Sequence, residues 1–176
     1  IVIIKMDFIK TRFKGLVVYK GKSFGDNRGF FREVFLNKIV KKELPFLSLS
    51  YSKKNVLRGL HTQSKNPQGK FISVIKGKIF DVSVDLRKKS PTYGEYFSII
   101  LSDKNCKSIY IPPNFAHGFL TLAEENYVLY DNTEYRNKKS EFGIKWNDKD
   151  LKIKWPIKKP ILSKKDKKNK NFKDFR

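Results

Sequence analysis

The chain has 176 residues, 39% of them hydrophobic and 14% aromatic, and carries a formal charge of +22 at pH 7. That length fits one domain with a sizeable core, and the apolar content excludes a disordered chain. Its apolar runs are broken by charge too early for a signal peptide or a membrane span, and Cys106 has no second cysteine to pair with, so a cytoplasmic setting and no membrane partner are expected.

The positive balance favours phosphate-bearing partners. Lysine supplies nearly all of it and is spread over every segment, which reads as a solvated surface and not as a groove-tracking stripe. No zinc-finger spacing, basic helix leading into heptads or aromatic RNA-binding sheet motif occurs. Specific nucleic-acid binding is not expected.

Leu16 to Tyr19 reads as the first clear strand. Gly21 to Gly29 reads as a glycine-spaced loop. Its Gly21-Lys22-Ser23 lies one residue too far from Gly15 for a P-loop, and no helix pattern follows. Phe30 to Leu36 resumes a strand, and Lys38 to Leu44 reads as a short helix stopped by Pro45. In Val56 to His61, strict alternation puts Leu57, Gly59 and His61 on one side and Arg58 and Leu60 on the other, unless a bulge at Gly59 re-aims them. Lys70 to Lys76 and Ile79 to Leu86 flank a hairpin-like turn at Lys76-Gly77-Lys78. In the second of these, Phe80, Val82, Val84 and Leu86 alternate with Asp81, Ser83 and Asp85. Tyr96 to Leu101, Ser108 to Ile111, His117 to Leu122 and Tyr127 to Tyr130 continue the series.

Many short strands with almost no helical periodicity predict an all-β chain, best fitted by an antiparallel jelly roll with few short helices. Residues 1–162 form the predicted domain, and 163–176 form a lysine-rich segment that by composition reads as a solvated terminus. No Gly-x-Gly-x-x-Gly follows a strand, so a Rossmann nicotinamide site is excluded.

Chemistry centres on the two histidines, His61 and His117. A cupin-type jelly roll usually binds metal through several histidines and a glutamate, but position 63, where a His-x-His pair would finish, is Gln63. No metal and no cofactor are expected. On the residues alone, Tyr130 reads first as a strand-end tyrosine, Lys70 as one more surface lysine and Asp166 as part of the tail, while His117 either supports the core or bonds Asp81 or Asp85 and faces a ligand.

The order of motifs then narrows the field. It runs Asp26-Asn27-Arg28-Gly29-Phe30-Phe31-Arg32-Glu33, Val56-Leu57-Arg58-Gly59-Leu60-His61, Gln68-Gly69-Lys70, Asp81 to Arg87 and Ser90-Pro91-Thr92. Ile111-Pro112, Phe115 to Phe119, Trp146-Asn147-Asp148, Ile153 to Pro156 and Leu162 to Asp166 complete it. From about Gly15 to Asp166 the chain resembles the dTDP-4-dehydrorhamnose 3,5-epimerase family, a cupin-like group.

The resemblance implies a cofactor-independent 3,5-epimerase of a nucleotide-diphospho-4-keto-6-deoxy sugar. It implies His61 as base, Asp166 as its orienting carboxylate, Tyr130 as acid on the opposite face and Lys70 near the developing oxyanion. The tail must then fold back over the pocket at least as far as Asp166. Arg58 and Arg28 become the pyrophosphate contacts, His117 faces the sugar while bonded to Asp81 or Asp85, and Glu33, Glu141, Lys165 and Phe24 complete the lining. It also implies a homodimer with an exchanged N-terminal strand, in which a neighbouring subunit delivers Arg28 and Glu33.

The chain departs from the family where relatives carry Gln-x-Asn-x-Ser-x-Ser. Here Phe46 and Ser48 replace the glutamine and asparagine, and Thr62 stands where an aromatic is usual. These changes leave open a GDP-linked 4-keto hexose or heptose, epimerisation at C3 alone, and ketoisomerisation. The non-enzymatic alternative is a basic nucleotide-binding jelly-roll module.

Overall fold

The computed structural model describes residues 6–175. Its strands are β1 (Asp7–Lys10), β2 (Val17–Lys20), β3 (Ser23–Asp26), β4 (Gly29–Arg32), β5 (Phe46–Lys53), β6 (Leu57–Gln63) and β7 (Lys70–Lys76). They continue with β8 (Lys78–Asp85), β9 (Tyr96–Ser102), β10 (Lys107–Ile111), β11 (Phe115–Thr121), β12 (Glu125–Asn132) and β13 (Glu141–Gly143). A six-stranded sheet runs β1-β2-β10-β7-β12-β5 and a five-stranded sheet runs β13-β6-β11-β8-β9, with every pairing antiparallel. The two sheets face each other as a jelly roll, as the sequence predicts.

Three local expectations change before β5. The glycine-spaced stretch is a hairpin, because β3 pairs with β4 and Asp26 accepts the Arg28 backbone N–H at 2.9 Å. The strand expected to run to Leu36 stops at Arg32, since Phe35 and Leu36 turn onto the outer face of the six-stranded sheet with Met6, Tyr19, Val40, Phe71 and Tyr110. The helix shortens to α1 (Asn37–Val40), ended by Lys41 in the left-handed region at φ 52°.

The turn at Lys76-Gly77-Lys78 is not a hairpin: β7 lies in one sheet and β8 in the other. Gly77 has φ +94°, and a Cβ there would meet the Glu125 carbonyl oxygen at 2.2 Å, so only glycine lets the chain cross between sheets this tightly.

Between the sheets, Phe13, Leu16, Val18, Ile72, Val74, Ile79, Leu101, Ile109, Phe115, Phe119 and Val128 form the inner core. The alternation of β8 is inverted relative to a simple amphipathic strand. Val82 and Val84 point outward, into a second core with Leu60, Ala116, Ile144, Leu151 and Phe172. Asp81, Ser83 and Asp85, on the side of Ile79, are fully buried and look inward. The C-terminal segment makes this possible by covering the outer face of the five-stranded sheet.

That segment is docked on the domain through Asp166, Asn169 and Phe172, while its lysines stay in solvent. Leu57 N–H donates to Ile161 O at 3.0 Å, and Ile161 N–H donates to Asn55 O at 2.8 Å. Further on, the Asn169 amide donates to Gly59 O at 3.3 Å and Ile144 O at 3.4 Å. Buried Phe172 and the stack of Phe142 on Phe175, 4.6 Å between centroids, carry the packing well beyond Asp166. Burying apolar surface overrides the solvated reading that lysine content alone suggests.

Candidate active site

The strand β6 sets the site. Along β11, His117 pairs with His61 and Phe119 with Arg58, so Gly59 and Leu60 together oppose the single residue Gly118. This bulge reverses the alternation. Leu60 turns into the outer core, while Arg58 and His61 both reach the cavity. The glycines permit it: Gly59 has φ +125°, and a Cβ on it would stand 2.5 Å from Gly118 Cα.

The cavity, about 590 Å³, lies between the sheets and is walled by β5, β6, β11, β12 and the C-terminal segment. His61, Asp166, Tyr130, Lys70, Arg58, His117, Glu141 and Lys165 all line it. The docked tail places Asp166 Oδ1 2.5 Å from His61 Nε2. Burial pushes the Asp166 carboxyl up, but the hydrogen bond and charge of His61, with Ser163 and the Gly59 backbone, hold it below the usual carboxylate range.

His117 Nε2 lies 2.7 Å from Asp81 Oδ2, so the expected choice between Asp81 and Asp85 falls to Asp81. Asp85 is instead occupied by Arg87, Ser90 and Thr92. Tyr130 packs edge-on against His117 at 6.3 Å and shares a 3.3 Å hydrogen bond with Ser50. Burial raises the Tyr130 phenol well above its ordinary value, so it stays protonated at neutral pH. Burial also pulls the Lys70 ammonium down to about 8, against an upward pull from Glu141. Lys70 is therefore not one more surface lysine.

At the rim, Arg136 engages both Glu141 oxygens through Nε and Nη2, and Lys165 Nζ donates to Oε2 at 2.8 Å. These cations, Arg136 foremost, hold the Glu141 carboxyl down to about 2 against its burial. Arg58 Nε donates to Ser52 Oγ at 2.9 Å and Nη2 to Tyr51 O at 3.0 Å, which fixes the guanidinium at the cavity wall.

Phe24, Arg28 and Glu33 do not join this cavity within one chain. Phe24 and Arg28 line a small cleft on the β3–β4 hairpin, where Arg28 pairs with Asp26 at 2.6 Å. Glu33 follows β4 and keeps Oε2 buried without a partner among the described residues. Gln63, standing where a metal-binding histidine would be, spends its amide on loops: it donates to Asn66 O and Tyr135 O and accepts from Asn137 N–H.

The sequence reading missed Arg136, Ser50 and Asn132 as lining residues. Asn132 had no local signal, whereas Ser50 keeps the first serine of the Gln-x-Asn-x-Ser-x-Ser pattern and enters the cavity through the pairing of β5 with β12. Phe46 and Ser48, noted as departures, do line the cavity, in register with Asn132 and Tyr130.

The fold and the groups it gathers define a jelly-roll protein whose cavity holds paired acid and base groups. The family model for dTDP-4-dehydrorhamnose 3,5-epimerase matches residues 10–174. Relatives of that name in Shigella flexneri and Methanothermobacter thermautotrophicus are 41% and 44% identical, covering 96% of this chain and 97% and 94% of their own. The crystal structure of the Legionella pneumophila epimerase in complex with dTDP-4-keto-L-rhamnose has a TM-score of 0.90 at 40% identity, over 95% of this chain and 93% of that one. The Bacillus anthracis enzyme, with TDP and PPi bound, has a TM-score of 0.91 at 39% identity, over 96% and 100%. The chain belongs to the dTDP-4-dehydrorhamnose 3,5-epimerase family.

Proposed function

We propose that the protein inverts C3 and C5 of a dTDP-linked 4-keto-6-deoxy sugar by proton abstraction and return, without a cofactor. The observation that carries this reading is the His61–Asp166 pair in one cavity with Lys70 and Tyr130. The C4 ketone acidifies the neighbouring C–H bonds. With Nε2–H donating to Asp166, the His61 ring keeps Nδ1 as its basic nitrogen. Nδ1 takes the carbon-bound proton, and the C–H electrons move into an enolate whose oxygen is stabilised by the Lys70 ammonium. Tyr130 returns a proton to the opposite face of the carbon. Proton exchange with solvent then resets imidazolium and phenolate, and the same cycle serves the second centre.

His117, held by Asp81, contacts the sugar, and Arg58 takes the diphosphate, matching a guanidinium to phosphate oxygens. Glu141 and Lys165 line the same cavity. The C-terminal residues 163–176 are a working part of the enzyme, because they bring Asp166.

The active form is a homodimer with an exchanged N-terminal strand, working in the cytoplasm. Supporting this are large apolar side chains left in solvent: Phe8 and Ile9 on β1, Phe24, Phe30 and Phe31 on the β3–β4 hairpin, and Leu47 and Leu49 on β5. In that dimer, Phe24, Arg28 and Glu33 complete the partner's cavity.

The test is incubation with dTDP- and GDP-linked 4-keto-6-deoxy sugars in heavy water, read by mass and NMR. Deuterium at C3 and C5 of the dTDP sugar is the expected result. Label at C3 alone would make the enzyme a 3-epimerase or ketoisomerase, and preference for a GDP-linked hexose or heptose would trace to Phe46 and Ser48. Absence of exchange with every 4-keto sugar nucleotide would end the proposal.

A further inference from the structure

Lys70 reaches the cavity from β7, and among the described residues its ammonium forms no ion pair. Its nearest partners are two neutral amides. Nζ donates to Gln68 Oε1 at 2.6 Å, and Asn132 Oδ1 stands 3.5 Å away on the neighbouring strand β12.

Backbone carbonyls set the orientation of both amides. Gln68 Nε2 donates to Glu134 O at 2.7 Å. Asn132, almost fully buried, donates through Nδ2 to Phe46 O at 3.0 Å and Tyr130 O at 3.2 Å. A carbonyl oxygen only accepts, so the NH2 end of each amide must face it, and the oxygen end is left for the ammonium.

We propose that Gln68 and Asn132 are positioning residues for Lys70, a pair of oriented amides that hold the ammonium in the cavity without cancelling its charge. This rests on the enolate-stabilising role given to Lys70 above. A carboxylate at the same place would fix the lysine equally well, but it would neutralise the charge offered to the enolate oxygen and raise the affinity of the amine for its proton.

The other charged and titratable groups at the cavity are already engaged. Glu141 of β13 is held by Arg136 and Lys165, Asp166 by His61 of β6, and His117 of β11 by Asp81 of β8. Arg58 of β6 is tied to Ser52 and Tyr51, and Tyr130 of β12 to Ser50. Burial pulls the Lys70 pKa down, consistent with partners that carry no compensating charge.

The test is an NMR titration of protein labelled at lysine Cε, with the Lys70 resonance assigned by its loss in Lys70→Met. In Gln68→Glu the midpoint is expected to rise by about one unit or more, the usual effect of an opposite charge in contact. In Gln68→Met the midpoint is expected to fall, and kcat to drop about tenfold or more with little change in KM, because the ammonium is no longer aimed. Thermal melts establish that each variant is folded, and Asn132→Asp gives the same readout if Gln68→Glu is not. A Lys70 midpoint unchanged from wild type in both Gln68 variants, or in Asn132→Asp and Gln68→Met, would overturn the proposal. Because the titration needs no turnover, shifted midpoints in a protein that epimerises nothing would sustain the cradle and remove the function. Unshifted midpoints in an active enzyme would do the reverse.

Discussion

His61 and Asp166 are 105 residues apart in the chain and 2.5 Å apart in space. The contact exists because the C-terminal segment runs back across the five-stranded sheet and is anchored on both sides of it, Ile161 beside Asn55 and Leu57, and Asn169 on Gly59 and Ile144. Asp166 sits between the anchors, and its backbone N–H donates to Ser163 Oγ at 3.0 Å.

Asp166→Asn keeps the shape but removes the charge that stabilises the imidazolium and allows the amide to select the wrong tautomer. We expect kcat to fall by about 10²–10⁴, with thermal stability near wild type. Steady-state kinetics beside a thermal melt check this. Unaltered kcat would show that His61 works without its carboxylate.

Tyr130→Phe removes the proton donor but leaves the base. Exchange of the sugar C–H with heavy water should persist while inverted product falls by about 10²–10⁴, so washout and inversion separate. NMR of the recovered substrate follows both. Equal loss of the two would assign Tyr130 to abstraction.

Lys70 ties activity to stability through pH. Its charge on the enolate oxygen is lost as pH rises through about 8, so kcat should decline on that side. Stability moves the other way. The folded pKa is depressed to about 8 from 10.5, so between those values the unfolded chain holds a proton that the folded chain has released, and stability rises with pH across that window. Below it the full cost of the buried charge is present. Lys70→Met should therefore be inactive yet more stable at pH 7 by about 1–2 kcal/mol, measured by urea unfolding. A variant that is less stable at pH 7 would contradict this.

Delivery of Arg28 by a neighbouring subunit is checked by mixing two inactive proteins. His61→Asn and Arg28→Ala subunits, unfolded and refolded together, form mixed dimers in which one of the two cavities has every group. Activity should return to about a quarter of wild type. Arg28 acting within its own chain would give no recovery.

The strand series, the all-β class, the glycine at the β6 bulge and the two histidines are legible in the residues, because side-chain alternation and turn residues are local properties. The ordered motifs reached further and implied His61, Lys70, Tyr130 and Asp166 together. Which faces those strands present depends on long-range packing. The bulge at Gly59 puts Arg58 and His61 on one side, and Gly77 sends β7 and β8 to different sheets. The inward face of β8 carries Asp81, Ser83 and Asp85 because Ile144, Leu151 and Phe172, all from the C-terminal part of the chain, cover its apolar side. Whether a residue is inside depends on what is packed against it, and that partner here arrives from the far end of the chain.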